Sequence, residues 1–100
     1  MVKHIVMWRL KDNVHGNDLK TNANLIKEKL EGLRGRITGI IAIEVGIDFS
    51  STDSSGHLVL YSEFENRDAL KAYQVHPEHQ ALISFISEAT NERRLVDYEV

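Results

Sequence analysis

The segment Tyr73-Gln74-Val75-His76-Pro77-Glu78-His79-Gln80 sets a phenol and two imidazoles beside the only proline of the chain. Histidine takes up and returns a proton near neutral pH, and a tyrosine hydroxyl can hold a developing oxyanion. The chemistry these residue types suggest is general acid–base catalysis. Helical spacing sorts them. A helix starting at Pro77 puts His79 one turn ahead of Leu82 and Ile83 and two turns ahead of Ile86, on the inward stripe. His76 then falls at the cap. Tyr73, four residues after Ala69 and three after Leu70, belongs to the buried side of the preceding helical turn, so Tyr73 and His79 are expected to converge. Strands supply two more rings. His4 shares the parity of Val6, Trp8 and Leu10, and His57 that of Val59 and Tyr61. If both faces turn toward the helices, one cavity holds His4, His57, Tyr73 and His79 as catalytic candidates, with Val6, Trp8 and Val59 as its ligand-binding lining. The competing possibility is that these rings are structural, each satisfied by ordinary hydrogen bonds.

Other chemistries find less support. His76-x-x-His79 with Glu78 resembles a metal half-site, but it lacks histidines at i and i+4, and Pro77 already accounts for the local structure; no metal is expected. The absence of cysteine removes disulfides, thiolate ligands and a cysteine nucleophile. No serine stands beside an obvious base, and no glycine-rich turn joins a strand to a helix, so no organic cofactor is expected either. The net charge of −3 comes from interspersed charges without a basic stripe, and Arg93-Arg94 reads as a solvated start of a strand. Nucleic acid is not an expected partner. No apolar run reaches membrane-spanning length and no signal segment is recognisable at the N-terminus, so a cytoplasmic protein is expected.

Outward from the site, 100 residues with 42% hydrophobic content suit one domain spanning 1–100. Lys3 to Leu10 reads as a strand. Leu19, Ala23, Ile26, Leu30 and Leu33 mark an amphipathic helix ending at Gly32 to Gly35, with Lys20, Asn24, Lys27 and Glu31 on its solvated side. Ile40 to Ile47 reads as a second strand, with Ile41, Ile43, Val45 and Ile47 on one face and Gly46 as a candidate bulge. Asp48 to Gly56 is a polar loop, and His57 to Phe64 a third strand. Helical residues follow from the Asn66 cap to Tyr73, and Pro77 restarts a helix through Thr90 with Leu82, Phe85, Ile86 and Ala89 inward. Arg94 to Val100 closes the pattern as a strand. The order β-α-β-β-α-β predicts an α+β, ferredoxin-like fold with a four-stranded antiparallel sheet and helices on one face. Because the strands carry large apolar residues on both faces, the uncovered face is expected to pair with a second copy as a homodimer.

Lys3-His4-Ile5-Val6, Glu44-Val45-Gly46, the run from Ala72 to His79 and Val96-Asp97-Tyr98, in that order along the chain, resemble the stress-responsive dimeric α/β-barrel (Dabb) family. The resemblance implies a ferredoxin-like dimer forming an α+β barrel. Most members have no assigned reaction; those of the olivetolic acid cyclase type close a linear poly-β-keto chain by aldol condensation without metal or organic cofactor. Their working residues resemble His4, His57, Tyr73 and His79. The resemblance implies His79 as base, Tyr73 as hydrogen-bond donor to a substrate oxygen, and His4 and His57 as orienting or binding groups. Trp8, on the His4 face, would take up room that a long alkyl chain needs. The expected substrate is therefore a small keto or phenolic compound, and the alternative is a non-catalytic ligand-binding or stress-related structural dimer.

Overall fold

In the computed structural model, which describes residues 1–100, the elements run β1 (Val2–Leu10), α1 (Leu19–Glu31), β2 (Ile40–Ile47), β3 (Leu58–Phe64), α2 (Arg67–Val75), α3 (Pro77–Ala89) and β4 (Thr90–Glu99). The strands form one sheet in the order β2-β3-β1-β4, every neighbouring pair antiparallel. This is the ferredoxin-like α+β arrangement, with the helices against one face.

The helices start where capping chemistry places them. Asp18 accepts the Thr21 N–H at 2.8 Å to open α1, and Asn66 accepts the Ala69 N–H at 2.9 Å to open α2. The residue before a proline is held out of the helical region. His76 accordingly sits at φ −64, ψ 135, which ends α2 and starts α3 in a new direction, its Nδ1 accepting the Glu78 N–H at 3.1 Å.

Strand alternation then divides inside from outside. Val2, His4, Val6, Trp8 and Leu10 of β1 are buried toward the helices, as are Ile43 and Val45 of β2 and Leu58, Leu60, Ser62 and Phe64 of β3. They pack against Ala23, Ile26 and Leu30 of α1, Leu70 and Tyr73 of α2, and Ile86 and Ala89 of α3. Each fully buried large aliphatic side chain contributes about 1.5–3 kcal/mol to this core. On the opposite face the cross-strand rows Tyr61–Ile5–Val96 and Val59–Met7–Arg94 lie under no helix, and Met7, Val96 and Tyr98 are exposed.

Side chains of α1 and the turn after it finish the outer edge of β2. Glu31 accepts the Val45 N–H at 2.9 Å, Lys27 donates to the Val45 carbonyl at 2.6 Å and to Glu31 at 2.9 Å, and Arg34 donates to the Ile43 carbonyl. Lys27, Glu31 and Arg34 therefore do more than solvate a helix face, and the Lys27 contact holds the Glu31 carboxyl below the usual carboxylate range.

Several local expectations change. The irregularity in β2 falls between Ile40 and Ala42, so Ile41 is the unpaired residue and is exposed, while Gly46 stays in register opposite Val59. A Cβ at Gly46 would come within 3.1 Å of Val59 Cγ1, so glycine serves cross-strand packing there. Ile47, at the strand end, is exposed as well. β4 starts directly from α3 at Thr90, four residues before the expected Arg94, because pairing with β1 extends a strand that carries no apolar alternation at that end. No helix is long and apolar enough to cross a membrane.

Candidate active site

The kink at His76-Pro77 folds α3 back so that His79 returns over Tyr73, their ring centroids 4.4 Å apart. β1 brings His4 beneath them, its centroid 6.3 Å from Tyr73 and 6.4 Å from Phe64. These three rings line a cavity of about 240 Å³ between the sheet and α3, closed on its apolar sides by Val6, Trp8, Leu30, Leu60, Ile83 and Ile86, with Ser87, Thr90 and Arg93 at the remaining positions. α3 is fixed from outside by the loop after β1: the His15 ring stacks on Phe85 at 4.1 Å, and its Nε2 lies 3.0 Å from the Phe85 carbonyl.

Each ring is held differently. His79 is half-buried and its Nδ1 lies 3.1 Å from the Gln74 carbonyl, an acceptor only, so Nδ1 carries the hydrogen and Nε2 keeps its lone pair. Burial pushes its pKa below the ordinary histidine value, and the nearby His4 and Arg93 act in the same direction against the Gln74 carbonyl. His79 is thus neutral at pH 7. His4 is buried at 3% exposure, and its Nδ1 meets the Asp97 carboxylate. The same logic leaves its Nε2 unprotonated when the ring is neutral. Tyr73 is fully buried, its hydroxyl has no hydrogen-bond partner, and burial pushes its pKa up to about 12. The assembly combines a neutral base, a proton-bearing phenol and a second imidazole oriented by a carboxylate. Such a set can remove a proton from carbon or oxygen and hydrogen-bond the oxyanion that forms.

His57 does not join them. Leu58 is the first buried residue of β3, so the parity that carries Leu58, Leu60 and Phe64 inward sends His57, Val59 and Tyr61 to the other side. His57 lies just ahead of the strand, where its Nδ1 accepts the Leu10 N–H at 2.8 Å and its own N–H donates to the Trp8 carbonyl at 2.8 Å. That is a structural position beside Arg9, Asp48 and Ser55. Val59 is likewise on the open face and lines no part of the cavity, whereas Val6 and Trp8 do. Two contributors escaped the sequence reading. Asp97 pairs across the β1–β4 ladder with His4, and Arg93 with Trp8, on the same face. The signal was the parity of β4 taken relative to β1, which needs the register between the two strands.

Comparison with known proteins agrees with the architecture. A crystal structure of a dimeric protein of unknown function and ferredoxin-like fold from Bacteroides fragilis is similar at 39% identity and a TM-score of 0.87, over 99% of this chain and 95% of that one. The uncharacterized protein SCO4036 of Streptomyces coelicolor is 30% identical over 81 residues, 81% of each chain. A hydroxynitrile lyase from Passiflora edulis shares the fold at a TM-score of 0.83 and 14% identity, covering 99% of this chain and 92% of its own. The pattern of the stress responsive A/B barrel domain (Dabb) matches residues 2–100. The order of strands, the helix broken at His76-Pro77 and that match over nearly the full length lead to one assignment: the chain belongs to the Dabb family.

Proposed function

We propose that the protein is a cofactor-independent acid–base catalyst acting on a small keto or phenolic compound held between the sheet and α3. The observation that carries this reading is the Tyr73 hydroxyl, fully buried without a partner beside a neutral His79. A buried donor left unpaired costs free energy, and a substrate oxygen that displaces the side chains covering the hydroxyl would satisfy it. In the reaction His79 Nε2 takes a proton from the carbon next to a carbonyl, Tyr73 donates a hydrogen bond to the enolate oxygen, and the His79 imidazolium so formed returns a proton to carbon, while His4, steadied by Asp97, positions the substrate. No metal or organic cofactor enters this scheme. Catalysis on this fold has a precedent in the Passiflora hydroxynitrile lyase, a likeness of fold only. His57 has no part in the reaction.

A homodimer formed through the open sheet face, in a cytoplasmic setting, belongs to the same proposal. Its support is the apolar row Tyr61–Ile5–Val96 under no helix and the dimeric state of the Bacteroides relative.

Deuterium uptake from D₂O at the α-carbon of small ketones and β-keto compounds, followed by NMR, tests the proposal on simple, commercially available molecules. At least one compound should exchange faster with the protein than in buffer, and His79→Asn should slow that exchange by about 10²–10⁴-fold. Wild type no faster than buffer for every compound, or undiminished exchange in His79→Asn, overturns it.

A further inference from the structure

Arg93 is the one permanently charged side chain lining the cavity. It sits on β4 opposite Trp8, on the face that carries His4 and Asp97, and is exposed at its own position. The ion pairs of the chain join Lys3 to Glu63, His4 to Asp97, His15 to Glu88, Lys27 to Glu31, Arg36 to Glu78 and Arg67 to Glu99, and Arg93 enters none of them. Its guanidinium makes no hydrogen bond to the protein, although five N–H donors in a rigid fork suit a planar anion. The charge is also felt inside, since Arg93 is among the groups that disfavour protonation of His79 after burial itself. A free cation lining the same cavity as Ser87 and Thr90, next to apolar walls and proton-transfer groups, is arranged to take a molecule charged at one end.

We propose that Arg93 sets the substrate class: a small monocarboxylate whose acid group pairs with the guanidinium while its keto or phenolic portion enters toward His79 and Tyr73. This deepens the acid–base reading and rests on it for the identity of the reacting portion. The cavity of about 240 Å³ is of the size that takes a small molecule and not a long chain. One substituted ring or a short branched chain suits that volume beside the wall made by Trp8.

Benzoate and its neutral isostere benzamide separate charge from shape. In NMR titrations of the full chain, benzoate should bind about tenfold or more tightly than benzamide, shifting the amides of His79, Ser87 and Thr90. Arg93→Gln should remove that preference while leaving benzamide binding within about twofold of wild type, because an exposed side chain without partners can be replaced without disturbing the fold. Circular dichroism of the variant checks this. Equal binding of the two ligands by wild type, an unchanged preference in Arg93→Gln, or no binding of either at millimolar concentration overturns the proposal. Arg93-dependent benzoate binding together with unimpaired deuterium exchange in His79→Asn would instead keep the carboxylate site and discard His79 as the base.

Discussion

Replacing Tyr73 by phenylalanine deletes a single oxygen that no group in the resting protein satisfies. The ring contacts remain, with Phe64 at 5.0 Å, His79 at 4.4 Å and His4 at 6.3 Å between centroids. An unpaired buried hydroxyl costs about 1–3 kcal/mol by protein mutational measures, so Tyr73→Phe should be more stable than wild type by about 1–2 kcal/mol. For a chain of this length each kcal/mol moves Tm by roughly 4–8 °C. A second, independent signature lies at alkaline pH. The folded state holds Tyr73 at about 12 against an ordinary 10.0, so the unfolded chain ionises first. Stability is complete below pH 10 and falls as pH rises from 10 to 12, by about 3 kcal/mol at 1.36 kcal/mol per pKa unit. Urea denaturation of both proteins at one fixed protein concentration, from pH 8 to 12, measures both effects. Phenylalanine should give a higher midpoint at pH 8, an unchanged m-value and a shallower alkaline decline. A Tyr73→Phe protein less stable at pH 8, with the wild-type alkaline profile, would refute the claim that this hydroxyl is buried and unpaired. Under the proposed mechanism the same substitution slows the reaction by about 10²–10³-fold, the usual loss for an oxyanion donor. Stability gained together with activity lost is the pattern of a group kept for its ligand.

His79 should titrate below the ordinary 6.5 in NMR spectra of its ring. Its folded pKa is depressed, so its contribution is present above pH 6.5 and is lost as pH falls through 6.5 toward the folded value; in His79→Asn the acid-side decline should shrink. His57→Ala leaves the buried Leu10 N–H without its acceptor and should cost about 1–3 kcal/mol in denaturant while leaving deuterium exchange unchanged. Met7→Glu places a charge in the open apolar face and should shift the mass by light scattering from two copies to one; a wild type already monomeric at micromolar concentration would remove the dimer from the proposal.

The backbone plan was legible in the sequence because periodicity reports on burial against a neighbouring layer. The stripe Ala23, Ile26, Leu30 and the alternation Val6, Trp8, Leu10 each name the face that turns inward. The convergence of Tyr73 and His79 was legible for the same reason, with Pro77 fixing where the second helical stripe restarts. What failed was the relation between elements. The parity containing His57 was ambiguous when read around His57, Val59 and Tyr61, although Leu58, Leu60 and Phe64 form the more apolar set and do face the core. Asp97 could not be joined to His4 from the sequence, because that requires the β1–β4 register, and β4 offers too little apolar pattern to set it. Lys27 and Glu31 looked like a solvated helix pair, since nothing local reveals that the edge of β2 lies beneath them.

That last contact has a consequence for how copies of the chain can meet. An open sheet has two edges, and joining an edge of one kind to an edge of the other adds strands without limit, the geometry of fibres. Here the Ile43 carbonyl and both backbone groups of Val45 along one edge are already occupied by Arg34, Lys27 and Glu31. An incoming strand would have to displace three charged side chains to pair there. Pairing of the remaining edge, β4, with another β4 closes after two copies. Three side chains from α1 and its following turn thus oppose the open-ended addition of strands at β2, whichever surface brings two molecules together first.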